Sequence, residues 1–110
     1  MTLDDAVQAW TLEWEHGSAQ VQALGAMLAP VRLRAGAGML DVMHVAPWCG
    51  SPAAAALPGL MRGLRGEWPC MPFGRADNPV LPPRWSSLQP DDQWDHGYAA
   101  NHLWRCVDHG

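Results

Sequence analysis

Trp10-Thr11-Leu12-Glu13-Trp14-Glu15 alternates apolar and polar side chains one residue at a time. Period two with a single apolar face describes a half-buried strand. Working outward, His16-Gly17-Ser18 reads as a turn, and Ala19 to Leu24 as the strand returning from it. Val31 and Leu33 alternate with Arg32 and Arg34 in another strand, which Pro30 confines to its start or to an edge. Ala35-Gly36-Ala37-Gly38 is the next turn. Met39 to Val45 is mostly apolar on both faces, the pattern of a strand covered on both sides. On the N-terminal side, Asp4 to Ala9 is long enough only for a short helix.

The character changes at Ala46-Pro47-Trp48. Pro52 followed by Ala53 to Leu57 predicts one or two helical turns, stopped by Pro58-Gly59. From there to Asn101 the chain reads as loop, because Pro79, Pro82, Pro83 and Pro90 interrupt any regular element. The whole irregular stretch, about 49–101, is long for a small domain and is expected to form a functional surface. His102 to Val107 resumes a strand pattern. Short strands, tight turns and one long loop predict an all-β fold, an antiparallel β-sandwich within a single domain over 1–110. About five strands are few for a closed sandwich. The pattern therefore reads as the front part of a larger β domain, with further strands in a longer protein or in another copy. The unpaired last strand is expected to drive self-association.

Composition narrows the function classes. Of 110 residues, 48% are hydrophobic and 16% charged, a globular balance and not a disordered one. No apolar run approaches the ~20 residues a membrane helix requires. Thr2 to Asp5 carries two acids where a secretory signal carries positive charge, which predicts a cytoplasmic protein. The net charge of −4, with all seven basic residues arginines scattered from Arg32 to Arg105, argues against sequence-independent nucleic-acid binding. Cys49, Cys70 and Cys106 are odd in number and unpaired in spacing, so buried reduced thiols are expected rather than disulfides. Seven tryptophans against one Phe and one Tyr stand out. Trp10, Trp14 and Trp104 sit in strand patterns and read as structural. Indole also suits the apolar faces of sugars.

Two stretches carry the chemistry. Asp95-His96-Gly97-Tyr98-Ala99-Ala100-Asn101-His102-Leu103-Trp104 gathers two imidazoles, a carboxylate, an amide and an indole at the mouth of a strand. An imidazole in a pocket serves as acid, base or hydrogen-bond donor, and Gly97 lets backbone approach a ligand. As an ordinary polar loop, the same residues would be unremarked; the clustering favours His96 as functional, with His102 behind it. Leu64-Arg65-Gly66-Glu67-Trp68-Pro69-Cys70-Met71-Pro72-Phe73-Gly74 offers the guanidinium fork of Arg65. Alone, Arg65 reads first as a surface residue or a salt-bridge partner of Glu67, and the motif is weak by itself. His44, Cys49, Cys70, His96, His102, Cys106 and His109 are spaced too loosely for a zinc site, so no metal is expected.

In this order, the two stretches resemble the galactose-mutarotase-like superfamily of aldose 1-epimerases, and particularly its glucose-6-phosphate 1-epimerase branch. That branch carries Arg-Gly-Gly-x-Pro running into Pro-x-Phe-Gly, then His-Gly-Phe-Ala-Arg and a strand tryptophan. Here the counterparts are Arg65 to Pro69, Pro72-Phe73-Gly74, His96 to Ala100, and Trp104. Leu24-Gly25-Ala26-Met27-Leu28 and Val45-Ala46-Pro47-Trp48 are similar to the family's opening strands, so the likeness runs over about residues 17–108. Glu67 replaces the second glycine, and the link from Pro69 to Pro72 is short. Ala100 replaces the arginine that holds a sugar phosphate in the branch, which favours a neutral aldose.

The resemblance implies a β-sandwich that interconverts the α and β anomers of an aldohexose without a cofactor. Arg65 and His96 would contact the sugar, His96 as the candidate for proton transfer, with Asn101, His102 and Trp104 supporting or lining the site. The family's own later histidine and glutamate pair would fall beyond Gly110. Glu13, Glu15 and Glu67 are the only glutamates, and none is placed across a sugar ring from His96 by the pattern. The competing expectation is a non-catalytic sugar-binding module using Trp68, Trp85 and Trp94 as stacking faces.

Overall fold

The structure, a computed structural model, describes residues 8–72, 74, 82–86 and 95–108. Its regular structure is mainly sheet. Four antiparallel strands run in chain order: β1 (Ala9–Trp14), β2 (Gly17–Gln22), β3 (Leu28–Ala35) and β4 (Gly38–Asp41). Trp14 pairs with Gly17, so the first turn is Glu15-His16, one residue earlier than the glycine suggested. A two-residue connection keeps Trp10, Leu12 and Trp14 opposite Val21, Ala19 and Gly17, which satisfies the alternation on both strands. The second hairpin closes with Ala35 opposite Gly38, as expected.

Pro30 stands inside β3, a central strand, and not at its start. The pairing explains how it is accommodated. Ala19 faces Val31 while Val21 faces Leu28, so Gln20 alone opposes Ala29 and Pro30. This is a β-bulge, where a residue without an N–H leaves no ladder bond unmade. Ala9 begins β1, which corrects the helix expected up to that residue; positions 4–7 lie outside the described residues.

Met39 to Val45 does not form a strand covered on both sides. β4 is a four-residue edge strand, and Met39, Leu40 and Val42 are about half exposed. An apolar run satisfies the burial pattern without creating a partner to cover it. His102 to Val107 is likewise no strand: only an isolated bridge joins Leu103 to Leu24. Four strands are therefore described, in one open sheet.

The long segment after Trp48 carries more regular structure than its prolines suggested. A 3-10 helix, Pro52–Ala56, starts at the expected proline, with the Ser51 side chain accepting from the N–H of Ala54. A second, Gly59–Gly63, follows, then α1 (Pro83–Ser86) and α2 (Gly97–Asn101). Leu24, Met27, Leu60 and Ala100 form the buried core, with Leu64 and Trp68 packed against it. It lies where the link between β2 and β3, the second 3-10 helix and α2 meet. Of the thiols, Cys49 and Cys106 are half-buried, but Cys70 is exposed, contrary to expectation. Among the described residues, no helix is long and apolar enough to cross a membrane.

Candidate functional site

The Arg65 stretch is held in place by its backbone. Gly66 donates to the carbonyl of His44, Ala46 to that of Leu64, and Leu28 to that of Glu67. Residues 64–67 thus run as a small ladder between the 44–46 segment and the start of β3. Gly66 makes this possible: its φ is +55°, and any Cβ there would collide with the carbonyl of Leu28. Arg65 Nε donates to the carbonyl of Gly63 at 3.0 Å. Beyond it Arg65 lines a hollow of about 220 Å³ shared with His44, Trp48, Leu64 and Trp68. Trp48 is fixed there by a 2.8 Å bond from Nε1 to the carbonyl of Met61.

The His96 loop reaches the same region from the far end of the chain. His96 N–H donates to the carbonyl of Gly74, and Ala99 N–H to that of Met71. Met71 and Gly74 are therefore both tied to the histidine loop; Phe73 lies outside the described residues. His96 has φ +70°, a left-handed conformation that costs a non-glycine residue about 1 kcal/mol and that these bonds maintain. Its imidazole meets Trp68 edge to face at 5.5 Å between centroids, and its Nδ1 lies 3.7 Å from the Sγ of Cys70. Asp95, His96 and Asn101 line a cleft of about 400 Å³ over Pro58, Leu60 and Met61.

Arg65 and His96 are thus brought to one neighbourhood but not to one pocket. Trp68 stands between them, with Arg65 on the hollow side and His96 on the cleft side. The supporting candidates make hydrogen bonds within the protein. Asn101 is buried; its Oδ1 accepts from Leu60 N–H at 3.0 Å and its Nδ2 donates to the carbonyls of Asp95 and Gly97 at 2.9 and 2.8 Å. His102 stacks on Tyr98 at 3.7 Å, with Nδ1 2.8 Å from the Tyr98 carbonyl. Trp104 donates from Nε1 to the carbonyl of Ala99 at 2.8 Å. These three side chains hold α2, and α2 holds His96.

Cys70, which composition places among buried thiols, is exposed and sits beside His96. His44 joins the Arg65 hollow. The Cys70 signal lay in its own motif, between two prolines that keep the chain extended, but spacing alone did not bring it to a residue 26 positions away. Trp94 and His109 lie outside the described residues, and Trp85 is placed on α1. Among the described residues, no three His, Cys, Asp or Glu side chains gather closely enough to hold a metal ion. The chain matches no protein-family model, no curated protein and no solved structure.

Proposed function

We propose that this chain is an aldose 1-epimerase-like protein, with a neutral aldohexose bound at the His96 cleft and its anomers exchanged there by ring opening and closure. The observation that carries the reading is the meeting of the two motifs around Trp68. Arg65 to Gly74 and the His96 loop are remote in sequence, yet Trp68 touches the imidazole and Met71 bonds to Ala99. The cleft is large enough for a pyranose, with an apolar floor and polar groups at one wall, the usual build of a small-molecule site. Anomer exchange needs a base to take the proton of the anomeric hydroxyl and an acid to protonate the ring oxygen as the C1–O5 bond breaks. His96 and Asp95 are the ionisable side chains lining the cleft.

In this reading the four-stranded sheet is one layer of a galactose-mutarotase-type β-sandwich, and the chain works in the cytoplasm, in keeping with three free thiols. A second reading, sugar binding without catalysis, is favoured by the separate hollow in which Trp48 and Trp68 flank Arg65.

Proton NMR of the chain with freshly dissolved α-glucose, then α-galactose, tests both. The proposal expects anomeric exchange faster than in a protein-free control, and its loss in His96→Ala with the indole signals still dispersed. A folded wild-type chain that binds either sugar without accelerating exchange would leave only the second reading. Neither binding nor exchange would overturn both.

A further inference from the structure

The register sorts the sheet's side chains into two unlike faces. Trp10, Leu12 and Trp14 of β1 stand opposite Val21, Ala19 and Gly17 of β2; Ala19 and Gly17 stand opposite Val31 and Leu33 of β3; and Leu33 stands opposite Leu40 of β4. Cross-strand partners share a face, so these residues and Val42, beside Val31, form one uninterrupted apolar surface. The other face carries Thr11, Glu13, Ser18, Gln20, Arg32, Arg34 and Asp41, with Ala9 and Met39 among its few apolar residues. The polar face is normal for a solvated sheet, whereas the apolar face calls for a second layer.

The core does not supply that layer. Leu24, Met27, Leu60 and Ala100 gather beyond the ends of β2 and β3, leaving Leu12, Trp14, Leu33, Leu40 and Val42 between 38% and 56% exposed. We propose that a second copy of this chain covers the face, the two sheets packing about a two-fold axis into a sandwich. Two observations favour a copy over a foreign partner. Among the described residues no charged side chain lies on the face, so a two-fold brings no like charges together and nothing polar there selects another protein. Finally, the five exposed side chains offer on the order of 500 Å² per copy, the upper range for a patch left on a monomer. Two copies would bury about 1,000 Å², the threshold of a specific interface, and the half-buried Trp10, Val21 and Val31 add to it.

Sedimentation velocity of the full chain across ~1–200 µM tests the proposal, with a closed dimer expected. Leu40→Lys and Leu12→Lys each place two charges in the apolar layer and should weaken dimerisation by at least ~100-fold, while Thr11→Lys on the other face leaves it unchanged. Near-UV circular dichroism identifies any variant that fails to fold. Should both lysine variants fail, the wild-type series alone still decides. A monomer throughout the range overturns the proposal. So does open-ended growth, which would indicate strand addition at the β1 or β4 edge, and so does a dimer indifferent to both lysines.

Discussion

Asn101 has every polar atom of its side chain used inside the protein, which separates its role from that of its neighbour His96. One amide closes the end of α2 onto the second 3-10 helix through Leu60 and ties back the carbonyls of Asp95 and Gly97 on either side of His96. Asn101→Ala would leave a buried N–H and two carbonyls without their partner. The expected loss is about 2–4 kcal/mol in chemical denaturation, the range for breaking a buried hydrogen-bond cluster. A change below ~0.5 kcal/mol would mean that these bonds are replaced by water. The sequence made Asn101 visible as a polar residue in a dense motif. It gave no way to tell a ligand contact from an internal tie, because that depends on the Leu60 N–H, 41 positions away. His96, with its ring against Trp68 and Cys70, lines the same cleft and is the group to which the proposed reading gives proton transfer.

At the scale of elements, the hairpins were legible and their surroundings were not. Alternation from Trp10 to Glu13 and from Val31 to Arg34 is a local property, and a tight turn converts it directly into pairing. Met39, Leu40 and Val42 are exposed despite the apolar run to Val45 because a strand's burial depends on what covers it, which no local pattern records. The short helices past Pro58 escaped for a related reason: each is barely one turn, below any useful period. One detail of the second hairpin can be tested by pH. Arg32 and Asp41 are register partners, and Nε donates to Oδ1 at 2.7 Å on the polar face. That hydrogen bond, opposed by desolvation and helped by the guanidinium charge, holds the Asp41 carboxyl below its usual value. A lowered carboxylate supports the folded state fully above its ordinary pKa and loses that support as pH falls through the lowered one. Carboxyl-carbon NMR should find Asp41 titrating below an ordinary aspartate, and Arg32→Gln should return it to the ordinary range. Because both groups are exposed, little change in overall stability should accompany the titration.

For the whole molecule, the distribution of apolar burial sets the terms. The core cluster is four residues, two more packing against it, while a sheet face of comparable size is left to solvent. A domain of this length has little stability in reserve, so an added apolar layer would be a substantial share of the total. If the second layer is another copy, folding and association are one equilibrium, and mass action makes the melting temperature depend on protein concentration. The expected result is a midpoint that climbs steadily from ~1 to ~200 µM in the wild type, by several degrees, because a small domain shifts by about 4–8 °C per kcal/mol. In Leu40→Lys the midpoint should be lower and independent of concentration. The same scans bear on the site, since Trp68 lies in both the core periphery and the His96 contact. A dimer that steadies the sheet but is formed away from Trp68 should leave sugar binding per chain unchanged between Leu40→Lys and the wild type. A loss of sugar binding in a folded, monomeric Leu40→Lys chain would instead place the second copy within the site.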